Sequence, residues 1–154
     1  MTNDAMLISL RGLAQLEVDA LQLFGAAMTH AKDPTLQRRF EEFRDVHQEQ
    51  ARLLDGAIAK LEGKPLALRP DAKGKVLERI AAVGALIGDE GLLVALVGGE
   101  ELVHKRYEAM LERNWPEQVK HLLDEAFGAS ARQLAFCRAS LEHRLEQAPL
   151  GANG

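Results

Sequence analysis

Apolar residues recur along the chain at steps of three and four, in four long segments parted by polar or Gly/Pro-rich breaks. That period is the signature of helices buried along one face. In the first segment Leu10, Leu13, Leu21, Phe24 and Met28 share a face, which predicts a helix from about Asp4 to His30. Asp33-Pro34 then forms a turn, with Asp33 placed to cap and Pro34 to open a second helix, which runs to Leu61 before Gly63-Lys64-Pro65 stops it. Because the link is so short, these two helices are expected to be antiparallel neighbours. A third long helix is predicted from about Leu92 to Arg113, closed by Asn114-Trp115-Pro116, and a fourth from Pro116 or Glu117 to Glu146. The tail from about 147, QAPLGANG, is too rich in Gly, Pro and Ala to pack and is expected to be flexible.

Between the second and third long helices the pattern lapses into EGKPLALRPDAKGK, Glu62 to Lys75, which reads as a crossover. A bundle helix of about 25 residues is about 37 Å long. About a dozen extended residues can span that length, so the third long helix can start at either end of the bundle. A shorter helix from Val76 to Ile87 is expected to pack across the bundle, with Gly88-Asp89-Glu90-Gly91 breaking it. The fold class is therefore all-α: an up-down four-helix bundle with a long crossover and an extra short helix.

Composition agrees. At 154 residues the chain is expected to be one domain, 1–154, and Leu, Ala, Glu and Arg dominate over β-branched residues, which favours helix. A net charge of -4 excludes a built-in electrostatic attraction to nucleic acid or an anionic membrane. No stretch approaches the roughly 18 apolar residues of a membrane span, and MTNDAMLISL lacks the basic start of a leader, so a cytoplasmic protein is expected. Cys137 is the single cysteine; it rules out an internal disulfide and falls on an apolar stripe, as a buried thiol would.

Each long helix carries a polar interruption in its apolar stripe. Glu17 lies between Leu13 and Leu21; His47 and Gln50 lie between Phe43 and Leu54. On the third helix Leu93, Val97, Glu100, His104, Tyr107 and Leu111 share a face, and on the fourth Leu123, Phe127, Ser130, Leu134, Cys137 and Leu141 do, with Gln133 one step around. A buried, unpaired carboxylate is costly, so Glu17 and Glu100 call for a shared polar layer that neutralises, pairs or metallates them. Di-metal carboxylate bundles hold their ions in such a layer, with a Glu from each of two helices and Glu-x-x-His from each of the other two. This chain supplies the two single carboxylates, but His47 with Gln50 and Ser130 with Gln133 stand where the paired motifs belong. Glu101-Leu-Val-His104 has the Glu-x-x-His spacing but lies on the third helix, with Glu101 partly off the stripe.

The segments LEVDALQLFGAAM, DPTLQRRFEEFRDVHQEQARLLDGAIAKLEGKP, GEELVHKRYEAML and DEAFGASARQL resemble a group of small bacterial ferritin-like proteins, described mainly as a domain of unknown function, from about Leu7 to Leu145. Metal-binding relatives in that group often carry Asp-His-x-x-His on the second helix and Asp-Glu-x-x-His on the fourth. These motifs fall here on Val46, His47 and Gln50, and on Ala129, Ser130 and Gln133. The Glu that precedes the third-helix Tyr is matched by Glu100, and the first-helix acidic pair by Glu17 and Asp19. The resemblance implies the scaffold; the missing ligands argue against iron oxidation.

Two functional readings follow. The first is a non-enzymatic ferritin-like bundle with a degenerate metal site and no cofactor, acting as a binding or stress-associated protein and as a homodimer, with His47 hydrogen-bonded to Glu17 or Glu100. The second is a metal-dependent oxidase or iron-handling protein that holds iron, manganese or zinc on Glu17, His47, Glu100 and His104. A third possibility is an interaction module presenting the apolar 76–87 segment, VLERIAAVGALI. No nucleophile with a base beside it is evident from spacing: Cys137 and Ser130 share a helix, and no His neighbours them there.

Overall fold

The structure is a computed structural model in which residues 1–62 and 88–147 are described. The expected short helix over 76–87 and most of the crossover lie outside them. Four helices account for the described residues: α1 (Asn3–His30), α2 (Pro34–Glu62), α3 (Gly88–Leu111) and α4 (Glu117–Glu146).

The helix ends follow local chemistry. Thr2 caps α1 by accepting the Ala5 N–H at 3.1 Å, and Asp33 caps α2 by accepting the Thr35 N–H at 2.8 Å, with Pro34 in the first turn. After α3, the indole of Trp115 donates to the carbonyl of Met110 at 2.7 Å, satisfying one of the acceptors that a helix end leaves over. The GDEG run was expected to be a break. It forms the first turn of α3 instead: Gly88 enters at φ 53°, and Asp89 and Glu90 lie where the helix dipole favours negative charge.

Long-range contacts fix the directions. Arg11 near the start of α1 pairs with Glu62 at the end of α2, so these two are antiparallel as expected. The Asp89 carboxylate at the start of α3 accepts the N–H groups of Lys32 (2.8 Å) and Asp33 (2.9 Å) in the α1–α2 turn, and Arg113 beyond the end of α3 reaches Ser9 at 2.7 Å. Thus α3 starts at the end of the bundle opposite to where α2 stops. Arg144 in the last turn of α4 returns to Asp33 at 2.7 Å. The order is up, down, down, up: each hairpin alternates, and the crossover reverses the alternation between them. Helix α1 lies against α2 and α3, and α4 against the same two.

Two apolar clusters fill the interior. One, around Leu10, Leu13, Leu54, Ile58, Tyr107 and Leu123, occupies the end with the α3–α4 connection. The other, around Leu23, Phe24, Phe40, Leu93, Leu96 and Cys137, occupies the end with the α1–α2 turn. Between them lies a polar layer.

Candidate functional site

Three buried ionisable side chains meet in this layer. Glu17 from α1, His47 from α2 and Glu100 from α3 are 1%, 2% and 0% exposed. Each occupies a position that continues its helix's apolar stripe, so folding the stripes inward carries all three to the centre. The Nδ1 of His47 contacts Glu17 Oε2 at 2.5 Å, and its Nε2 contacts Glu100 Oε1. The second contact joins helices diagonally across the bundle. Glu17 is held from a further side by Tyr107, whose hydroxyl donates to Oε1 at 2.5 Å. The His47 ring also stacks on Phe24, with centroids 5.2 Å apart, which sets its plane.

A carboxylate only accepts, so an imidazole facing one on each side donates from both nitrogens and is an imidazolium. Burial works against that charge, but the field of Glu100, the hydrogen bonds to Glu100 and Glu17, and the field of Glu17 outweigh it and push the His47 pKa up to about 10. Two carboxylates and one imidazolium leave this centre one negative charge in excess. Burial, then Glu17, raises Tyr107 well above the ordinary phenol, keeping it a donor. Burial and the Glu100 charge push the Cys137 thiol up to about 12, so it is an inert core group.

The remaining predicted residues lie apart from this centre. On α3 the buried stripe runs through Leu93, Leu96, Glu100, Val103, Tyr107 and Met110, one step around from the expected line. His104 is therefore half-buried and faces α4, where it stacks on Phe127 at 4.4 Å and meets Ser130 Oγ through Nδ1 at 3.1 Å. The structure thus places a histidine beside Ser130, which helical spacing alone had not. This is no nucleophile and base: the buried Ser130 hydroxyl donates to the Phe127 carbonyl at 2.8 Å and so accepts from His104. Neither glutamine is bonded to Glu17 or Glu100, as a shared network would have it; Oε1 of Gln50 and of Gln133 is buried without a partner, as is Glu100 Oε2. Glu101 turns outward to Arg138 at 2.6 Å. Tyr107, expected only to share the third-helix face, is a further member of the centre, and its seven-residue step from Glu100 was the available signal.

The donor set does not fit a pair of metal ions. Two carboxylates are present where four would balance two divalent cations, the amides and the hydroxyl are poor ligands, and both nitrogens of the imidazole are directed at carboxylates. Among the described residues no group of three or more His, Cys, Asp or Glu side chains is arranged to hold a metal ion.

The chain belongs to the family described as a domain of unknown function (DUF2383), which matches residues 5–113. That span includes Glu17, His47, Glu100 and Tyr107 and stops before α4. No curated protein matches the chain. No solved structure matches it either.

Proposed function

We propose that this chain is a ferritin-like bundle in which a protonated histidine stands where a metal pair would be held, and that it serves as a non-enzymatic binding or stress-associated protein. The observation that carries this reading is the bridging of Glu17 and Glu100 by the two ring nitrogens of His47. An imidazolium has no lone pair to offer a metal, and its own charge offsets one of the two carboxylates. The up, down, down, up order with one long crossover supports the ferritin-like scaffold. Metal analysis of protein purified without chelator tests the reading. A metal-free, fully folded protein is the expected result. Near-stoichiometric iron, manganese or zinc, lost in Glu17→Gln and His47→Ala, would overturn it.

The second reading, a metal-dependent oxidase or iron-handling protein, draws on one feature: Glu100 Oε2 is buried without a partner. A cation could take that oxygen if His47 gave up a proton and turned. The same measurement decides between the two.

A further inference from the structure

Residues 91–99, GLLVALVGG, form the first turns of α3 without one polar side chain. A helix that is apolar all round is one whose every face is covered. The inward side is covered, by burial of Leu92, Leu93 and Leu96 in the core. The outward side is not: Val94 is 50% exposed, Leu102 is 44% exposed, and Gly98 between them is open. Glycine inside a helix is less stable than alanine. At Gly99 packing accounts for it, since an added Cβ would lie 2.8 Å from Leu23 Cδ2; at Gly98 it would meet nothing within 4 Å. The missing side chain of Gly98 therefore serves only a surface that approaches α3 from outside. Glu90, Val94, Gly98, Leu102 and Arg106 follow one another at steps of four, the row through which helices most often pack. In order they are acid, apolar, glycine, apolar, base, so this row complements itself when two copies run antiparallel. Neither Glu90 nor Arg106 has an ion-pair partner among the described residues.

We propose that the outer face of α3 docks a second copy of this chain, with the two α3 helices antiparallel and crossing at Gly98. Val94 of each copy lies against Leu102 of the other, and Glu90 of each, roughly 12 Å along the helix from the crossing, pairs with Arg106 of the other. The same patch meets itself, so the contact closes at two copies. With 24 residues α3 is about 36 Å long, and with the flank of a neighbouring helix the face is about 20 Å wide, or about 700 Å² on each copy. The pair then buries about 1,400 Å², within the range of about 1,200–2,000 Å² for specific interfaces. This face is separate from the Glu17–His47–Glu100 centre and pairs in the same way whether or not that centre takes metal.

Sedimentation equilibrium on the full chain tests the proposal. A dimer at micromolar concentration is expected, and Leu102→Lys, which sets a charge beside the crossing, is expected to weaken it roughly a hundred-fold. Gly98→Leu is expected to weaken it as much while leaving the melting temperature of the dilute, monomeric protein unchanged or higher, because leucine is the better helix former and nothing in the chain lies in its way. Arg106→Glu and Glu90→Arg are each expected to weaken the dimer roughly ten-fold, and the two together to restore it. Should Glu90→Arg disturb the first turn of α3, Leu102→Lys and Gly98→Leu at exposed positions answer the same question. A monomer throughout the micromolar range, as would follow if residues 63–87 covered this face, a dimer unmoved by Leu102→Lys and Gly98→Leu, or no rescue in a folded double variant would overturn it.

Discussion

Glu17 shows how one buried charge organises its surroundings. Its two oxygens are each held by a donor from another helix, Tyr107 from α3 and His47 from α2, so a single carboxylate ties three helices together. Removing His47 leaves two carboxylates facing each other in an apolar interior, and breaking a buried pair typically costs about 3–5 kcal/mol. His47→Ala is expected to lose stability of that order in urea denaturation, with no change in the slope. Tyr107→Phe removes only a hydroxyl, a hydrogen bond to a charged group worth about 1.5–3 kcal/mol. A double-mutant cycle with Glu17→Gln should show that most of this loss requires the Glu17 charge. The centre was legible in the sequence because Glu17, His47 and Glu100 interrupt apolar stripes, and an interrupted stripe is visible without coordinates. His104 was not separable by that means: at about 100° per residue Val103 and His104 flank the shared Leu93–Glu100–Tyr107 line on opposite sides, and a modest rotation of the helix exchanges core for the α4 flank.

Among the elements, the helix-to-helix junctions carry information that periodicity lacks. All four long helices were predictable from the stripes, and their ends fell within a few residues where a cap or a proline marked them. The start of α3 was not, since Gly-Asp-Glu-Gly reads locally as a break, and the role of Asp89 depends on a turn 56 residues earlier in the chain. Its carboxylate, 8% exposed, takes two backbone N–H groups of the α1–α2 turn, and Arg144 of α4 approaches it at 3.8 Å. Asp89 thereby fastens the α1–α2 turn, the start of α3 and the last turn of α4 together at one end of the bundle. Asp89→Ala leaves two backbone donors unsatisfied and is expected to cost about 2–4 kcal/mol, from a loss of about 1–3 kcal/mol per buried group, partly relieved by water. Amide hydrogen exchange should show the loss concentrated at Lys32 and Asp33 and the adjoining turns of α1 and α2, while amides beside Glu17 and His47 lose only the global share of protection.

At the scale of the whole bundle, the same charges set how stability responds to solvent. The ion pairs on the surface, such as Arg52 with Glu49 and Arg39 with Glu42, are exposed and contribute little, so raising salt from 0.01 M to 1 M should change the unfolding free energy by no more than about 1 kcal/mol. The buried centre is not screened in this way, but it is sensitive to pH. His47 is faced by Glu17 from α1 and by Glu100 from α3, with Tyr107 behind Glu17, and holds its proton up to about pH 10, against 6.5 for the ordinary residue. Below the lower value both folded and unfolded chains carry the proton, and the contribution of the pair is fully present. Between the two values the unfolded chain releases the proton while the folded chain keeps it, so stability falls by up to about 1.4 kcal/mol per pH unit. Above pH 10 the folded chain releases it too, and the loss levels off. Urea denaturation from pH 6 to pH 8.5, below the range in which the unfolded Cys137 thiol and Tyr107 phenol ionise, should therefore show a progressive decline of about 2–3 kcal/mol in wild type that is absent from His47→Ala. A decline of equal size in both proteins would mean that His47 does not carry the charge joining the two carboxylates.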